Sequence, residues 1–165
     1  MLIRSLVLAL VCFLSLPGGA LAAAGDPVPD PEEKAFCKQI NTYRGQNGVP
    51  ALKLSVSLTK AAEWHAGDMA RKNYFDHTDS LGRSFCTRFA AFGYSGSTKG
   101  ENIAGGPATG LASFNQFKSS SAHRKNMLNP SFKVLGVGRA FRAGTMFGWY
   151  WSTAFGSTVD RTIAC

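Results

Sequence analysis

The sequence lacks the short motifs that would assign it to a common class of hydrolase or metalloprotein. It contains no His-Glu-x-x-His pair, no Cys-x-x-Cys pair and no Gly-x-Ser-x-Gly turn. These absences argue against a helical zinc-protease motif, a cysteine zinc site and a serine-hydrolase elbow. Serines at positions 119–121 precede His123, but serines before a helix are better explained as N-caps.

Acidic residues are scarce in one long stretch of the chain. The formal net charge is +8, and no Asp or Glu lies between Asn102 and Val159. The bases are scattered and are not interleaved with aromatic residues, so nucleic-acid binding is not predicted. A loose affinity for anionic cell surfaces is the more modest inference. The acid-free stretch carries six bases: Lys118, Arg124, Lys125, Lys133, Arg139 and Arg142.

No second hydrophobic run of membrane-spanning length follows the one at the N-terminus. Arg4 precedes an apolar run, Ser5–Leu16, that is too short to span a bilayer. Residues 1–22 are predicted to be a signal peptide cleaved before Ala23, because Ala20-Leu21-Ala22 fits the small-x-small rule. A second acceptable cleavage site after Ala22-Ala23-Ala24 and an uncleaved membrane anchor are the alternatives. The sequence therefore predicts a secreted protein, extracellular or periplasmic, without a membrane span.

The rest of the chain has the size of one domain. Residues 23–32 are rich in proline and are predicted to be a flexible lead-in. Residues 33–165 are predicted to form a single domain that acts as a monomer.

Three cysteines follow the predicted signal peptide, so at least one thiol must stay outside any internal pairing. We predict a Cys37–Cys165 disulfide, because chain ends often lie close together and a terminal cysteine pins a tail that would fray. Cys86 is then free, and beside Phe85 and Phe89 it is expected to pack as a small hydrophobe. Pairing of Cys86 with either end, or no bridge at all, are the alternatives.

The order of predicted elements is helices first, then strands with helices between them. This order predicts an α+β domain in which helices cover a small antiparallel sheet. Both faces of the aromatic strand near the C-terminus are apolar, so it should be covered on both sides. Five helices are predicted, beginning at Pro31, after a cap at Ser57 or Thr59, at Ser84, at Leu111 and around His123. Three strands are predicted, at Lys99–Ala104, Lys133–Phe141 and Met146–Phe155.

Four segments in a fixed order carry a family resemblance. They are Ala66-x-Asp68-Met69-Ala70 with Asn73-Tyr74-Phe75-Asp76-His77, Gly100-Glu101-Asn102-Ile103-Ala104, Phe117-x-x-Ser120-x-x-His123-Arg124-x-Asn126-Met127-Leu128, and Gly136-Val137-Gly138. Together they resemble the CAP superfamily, which comprises cysteine-rich secretory proteins, antigen 5 and plant pathogenesis-related class 1 proteins. The match is closest to the compact bacterial members and spans roughly residues 36–155.

This resemblance implies an α-β-α sandwich with a cleft that is lined by two histidines and two acids. His77 and His123 match the histidines, and Glu101 matches one acid. Ser120 stands near the position of the second acid, and Phe117 stands where the family usually has tryptophan. The expected cleft residues are therefore His77, Glu101, His123 and Ser120, and we predict that the first three form one cluster.

Two histidines and a carboxylate are a plausible set for a divalent metal, since neutral imidazole favours Zn²⁺ or Cu²⁺, and with a water they would suit an open tetrahedral zinc site. His77 and His123 would be the metal ligands, with Glu101 as a third ligand or as a base. The alternative is that Glu101 hydrogen-bonds a histidine and braces the floor of the cleft. His65 lies on the apolar stripe of the second helix and is expected to be buried with one satisfied hydrogen bond.

Two functions remain open at this point. The first is a secreted, non-catalytic binding protein, since the resemblance implies lipid binding or action on partner cells in some members. The second is a metal-dependent hydrolase of peptide or cell-wall material, with Glu101 as general base and the histidines as ligands. The sequence favours the first, and the metal content of the protein would discriminate between them.

Overall fold

The computed structural model describes residues 25–165. The predicted signal peptide at residues 1–22 and its cleavage site lie outside the described residues. No helix within residues 25–165 is both long enough and apolar enough to cross a membrane. The elements are α1 (Pro31–Gln46), β1 (Lys53–Ser55), α2 (Val56–Lys72), α3 (Phe85–Ala91), β2 (Lys99–Gly105), α4 (Gly110–Ser119), α5 (Ser121–Met127), β3 (Val134–Phe141), β4 (Trp149–Gly156) and β5 (Thr162–Ile163).

The strands form one five-stranded sheet with the order β2-β4-β3-β1-β5. The long strands β2, β4 and β3 pair antiparallel, and the α+β class is confirmed. The sheet is mixed, however, because β1 runs parallel to β3. This pairing was not predicted, since β1 and β5 are only three and two residues long and such runs carry no readable alternation.

Helices cover both faces of the sheet, as predicted for the aromatic strand. On one face, Phe36 of α1 packs with Phe117 of α4 and Trp151 of β4. On the other face, α2 lies directly on β3. A Cβ atom added to Gly136 or Gly138 would come within 2.2 Å of the α2 backbone. These glycines therefore set how closely the helix approaches the strand.

Helix caps explain where the elements begin. Asp30 and Glu33 form a capping box at the start of α1, as the sequence predicts. The cap of α2 is Ser55, rather than Ser57 or Thr59, because the helix begins directly after β1. Ser120 caps α5 and accepts a hydrogen bond from the backbone N–H of His123, which supports reading it as a capping serine.

The predicted Cys37–Cys165 disulfide is confirmed, with 5.6 Å between the two Cα atoms. Cys86 is free, as predicted, but it is exposed rather than packed as a small hydrophobe. It occupies the face of α3 opposite the inward side, which is formed by the buried Arg88 and Phe89.

Candidate functional site

The centre of the site is the buried carboxylate of Glu101. Strand β2 lies at one edge of the sheet and carries Glu101 in register with Ala154 of β4. Its Oε1 atom accepts a hydrogen bond from Nδ1 of His77 at 2.8 Å, and its Oε2 atom accepts one from the guanidinium of Arg88. Ser152 Oγ lies 3.5 Å from Oε2. Both carboxylate oxygens are therefore already engaged.

Arg88 joins the carboxylate to the loop that carries His77. Its side chain is fully buried and forms an ion pair with Glu101. One of its terminal nitrogens donates to the backbone oxygen of His77 at 3.3 Å and lies 3.6 Å from Asp79 Oδ2. Asp79 also accepts a hydrogen bond from Arg83 Nε at 2.8 Å. Two carboxylates and two guanidiniums thus form a continuous network beneath the site.

His77 is the member of the network that faces outward. Its side chain is 50% exposed, whereas that of Glu101 is fully buried. The hydrogen bond from Glu101 raises the pKa of His77 above its ordinary value of 6.5, outweighing the opposing effect of partial burial. Because Nδ1 donates to Glu101, Nε2 is the ring nitrogen left for a ligand.

His123 approaches the site from α5. Its ring packs edge-on against Phe117, with 5.0 Å between centroids. Within residues 25–165 the structure shows no hydrogen bond between the His123 ring and His77 or Glu101, so the direct link in the site is the one between His77 and Glu101. Burial, and secondarily the charge of His77, lowers the pKa of His123.

Two asparagines fasten α5 to β2, next to Glu101. Asn102 Nδ2 donates to the backbone oxygen of His123 at 3.2 Å. Asn126 Nδ2 donates to the backbone oxygen of Glu101 at 3.2 Å and to Asn102 Oδ1 at 2.8 Å. The position of His123 relative to Glu101 therefore depends on amide hydrogen bonds that are mostly to backbone.

A family model described as the cysteine-rich secretory protein family matches residues 38–155. The chain belongs to this family. The uncharacterized protein YkwD of Bacillus subtilis strain 168 is 39% identical over 106 residues, which cover 64% of this chain and 41% of YkwD. An uncharacterized membrane protein of the same organism, YlbC, is 31% identical over 106 residues, 64% of this chain and 31% of its own length. The chain thus spans less than half of these curated relatives.

Solved structures agree with the fold of the cysteine-rich secretory protein family. An extracellular protein with an SCP domain from Bacillus anthracis strain Ames has a TM-score of 0.66 and 27% identity, covering 82% of this chain and 45% of its own. An outer surface protein of Borrelia burgdorferi has a TM-score of 0.70 and 18% identity, covering 80% of this chain and 96% of its own. The second likeness supports the fold alone.

The family motifs lead to His77, Glu101 and His123 but not to Arg88, which the sequence analysis missed. Its signal was a base on the apolar side of a short helix, three residues after Phe85 and one before Phe89. A cation on such a face needs a buried anion. Glu101 and Asp79 are the anions that supply this need.

A second buried network supports the His77 loop from below. Asp68 accepts hydrogen bonds from Tyr74 Oη at 2.6 Å and from Ser80 Oγ at 2.8 Å. His65 is buried, as predicted, with Nε2 3.0 Å from the backbone oxygen of Asp76. Burial lowers the pKa of His65 to about 4, so this histidine is neutral at physiological pH. Its Nε2 atom also lies 4.0 Å from Glu101 Oε1, so His65 lies between the loop and the buried carboxylate of the site.

The residues present do not fit the zinc site that the sequence analysis considered. Within residues 25–165, no three His, Cys, Asp or Glu side chains are grouped so that they could hold a metal ion. Glu101 is held by the guanidinium of Arg88, and a divalent cation on this carboxylate would have to displace Arg88, leaving it with Asp79, 3.6 Å away, as its anionic partner.

The three histidines are expected to titrate in a fixed order. His77 should titrate above 6.5, because its hydrogen bond to the Glu101 carboxylate raises its pKa. His123 should titrate below 6.5 and His65 near 4, because burial lowers the pKa of both. Imidazole NMR signals followed from pH 3.5 to 9 measure all three, with His77→Asn and His123→Asn variants for assignment. A His77 signal that titrates below that of His123 would contradict the described hydrogen bond.

Proposed function

We propose that this chain is a secreted, non-catalytic binding protein whose cleft of His77, Glu101 and His123 binds a lipid component of a cell surface. The observation that carries the proposal is the engagement of both Glu101 oxygens by His77 and Arg88. A carboxylate in this position holds His77 and Arg88 in place. This role favours ligand binding by the cleft over proton transfer by Glu101.

The alternative, a hydrolase with Glu101 as general base, asks this carboxylate to accept a proton from water. Protonation would remove the closer of the two negative charges that compensate buried Arg88 and leave Asp79, which also pairs with Arg83, as the other; weakening the compensation of a buried charge is unfavourable. Ser120, the remaining predicted cleft residue, caps α5 with its hydroxyl. The network therefore offers neither a free base nor a supported nucleophile.

The charge of the cleft favours an anionic group in the ligand. His77 gains positive charge as its pKa rises, and its Nε2 atom is not used by Glu101. A phosphate or carboxylate headgroup would accept a hydrogen bond from that nitrogen. His123, held neutral more readily by burial, can donate or accept beside it.

Several features support secretion. The N-terminal residues have the composition of a signal peptide. The Cys37–Cys165 disulfide suits an oxidising compartment. The Bacillus anthracis structural relative is described as extracellular.

Calorimetric titration of the exported protein with two ligands tests the proposal. A short-chain phosphatidylglycerol, kept below its micelle-forming concentration, is expected to bind, and His77→Ala should weaken it about tenfold by removing a charged hydrogen bond. Zn²⁺ is expected to show no one-to-one binding. Leu111→Ser, an exposed change on α4, is the matched control.

Two results would contradict the proposal. One is stoichiometric zinc binding that disappears in His77→Ala, which would favour the hydrolase. The other is lipid binding that is equal in the parent, His77→Ala and Leu111→Ser proteins, which would place the lipid elsewhere.

A further inference from the structure

The hairpin between β3 and β4 exposes a group of large apolar side chains at one end of the molecule. Met146 is 64% exposed, Phe141 is 58% exposed and Phe75 is 38% exposed. Phe141 packs on Trp149 with 5.0 Å between ring centroids, and Phe75 packs on Phe147 at 4.9 Å. We call these five residues the aromatic end. Exposed apolar residues that lie together in this way typically mark an interaction surface.

The aromatic end is held in place by the fold. The backbone N–H of Arg142 donates to the oxygen of Gly148 at 2.8 Å and closes the hairpin. The N–H of Met146 donates to Asn73 Oδ1 at 2.7 Å, which fastens the tip to the end of α2. The Phe147 ring fills the space that a Cβ on Gly105 would occupy, 2.4 Å away. The backbone that carries the exposed side chains is therefore fixed by hydrogen bonds and packing.

Basic residues adjoin this surface. Arg142 lies in the hairpin tip, and Lys72 ends α2 immediately before Asn73; both are exposed. Arg71 is exposed as well, but its guanidinium lies back along α2, beside Gly67. Of the neighbouring acids, Asp30 is ion-paired with Arg139. Asp76 is exposed and keeps its negative charge, because the hydrogen bond from the Thr78 N–H lowers the pKa of its carboxyl. The bases outnumber this acid.

Arg139 itself stacks over Trp149, with its guanidinium carbon 4.5 Å from the ring centroid. The surface thus combines apolar tips with an excess of positive charge. Two copies of this chain meeting through it would bring like charges together, which is unfavourable across a two-fold interface.

We propose that the aromatic end docks on a bilayer that contains anionic lipids, with Phe141 and Met146 entering the interfacial region. Aromatic and apolar side chains flanked by bases suit that environment, because the rings partition into the headgroup region while the bases meet anionic headgroups. This inference rests on the proposed function and adds the surface that reaches the membrane. Phe75 lies two residues before His77, so docking would hold the His77 loop near the bilayer.

Partitioning of the exported protein onto vesicles tests the inference. Vesicles of phosphatidylglycerol mixed with phosphatidylcholine are compared with pure phosphatidylcholine. The double variant Phe141→Ser/Met146→Ser is expected to reduce partitioning onto the anionic vesicles about tenfold, and Arg142→Gln about fivefold. The matched controls, Leu111→Ser/Val159→Ser and Lys53→Gln, remove exposed apolar and basic groups elsewhere and should leave it unchanged.

Each other outcome overturns the inference. Equal partitioning of Phe141→Ser/Met146→Ser and the parent would show that the aromatic end does not dock. If Arg142→Gln and Lys53→Gln reduced partitioning onto the anionic vesicles equally, the protein would be attracted by its overall positive charge and not through this surface. A lower oligomeric mass for the double variant, without vesicle binding by the parent, would identify a contact between copies.

The two proposals fail separately. Phe141→Ser/Met146→Ser should leave the binding of monomeric phosphatidylglycerol intact while reducing vesicle partitioning. Vesicle binding that depends on the aromatic end, together with no monomeric lipid binding, would reject the cleft proposal alone. Monomeric lipid binding that depends on His77, together with no vesicle binding, would reject the docking proposal alone.

Discussion

Replacing Arg88 with methionine is expected to lower the free energy of unfolding by about 3–5 kcal/mol. The guanidinium is fully buried and pairs with Glu101 and Asp79, both of which are buried as well. The substitution would leave two carboxylates in a region of low polarity, without the cation that lies between them. The loss comes mainly from burying two carboxylates with fewer cations, since Asp79 keeps Arg83 and Glu101 keeps His77 but neither keeps Arg88.

Arg83→Met provides the matched control for this experiment. Arg83 also forms an ion pair with Asp79, but its side chain is partly exposed and packs over Trp64. Partly solvated ion pairs contribute little, so we expect a loss of about 1 kcal/mol. Urea unfolding of both variants measures the difference, and equal losses would show that Arg88 is no more important than a surface base.

The double variant Arg88→Met/Glu101→Leu separates the ion pair from simple packing. If the pair is the cause, removing both charges should restore part of the stability lost in Arg88→Met. If the losses in the free energy of unfolding caused by the two substitutions are additive, Arg88 stabilises the fold through the packing of its side chain and not through the ion pair. Glu101→Leu also removes the partner of His77 Nδ1, so the His77 pKa in the double variant should fall toward its ordinary value.

The sequence predicted those residues of the site that belong to a recognisable motif. His77 and Glu101 were predicted to share a cleft, and the structure joins them directly. Arg88 was missed because an arginine on a short helix ordinarily points to solvent. Its partners are 9 and 13 residues away, on a loop and a strand, and no local period relates them.

The same reasoning applies to the fold. Long elements with clear caps were predicted, since Asp30 and Glu33 form a local capping box whose two residues are only three apart. The short strands β1 and β5 exist because they pair with each other and with β3. Tertiary pairing makes these residues extended, because it outweighs the weak intrinsic strand propensity of a run of two or three residues.

The disulfide is the second feature whose removal should have a large effect. Cys37→Ser/Cys165→Ser is expected to lower the free energy of unfolding by about 3–5 kcal/mol. The bridge joins residues separated by 128 positions, so it restricts the unfolded chain over nearly the whole domain. In the chain-entropy account, the stabilisation increases with the length of the closed loop.

The folded state also depends on the bridge, because it fixes the C-terminal strand. Strand β5 pairs with β1 over only two residues, and the preceding Asp160 accepts a hydrogen bond from Ser55 Oγ at 2.8 Å. Without the disulfide these contacts would have to hold the tail alone, and a short edge strand opens readily. Hydrogen exchange should therefore accelerate at residues 161–165 before it does in β3.

Cys86→Ser is the control for both measurements. Cys86 is exposed and unpaired, so its replacement should change the free energy of unfolding by no more than about 0.5 kcal/mol. Urea unfolding under non-reducing conditions compares the parent, the double variant and Cys86→Ser. A loss in Cys86→Ser equal to that in the double variant would mean that Cys86 takes part in the bridge. Protection of residues 161–165 that is unchanged in the double variant would show that β-pairing alone fastens the tail.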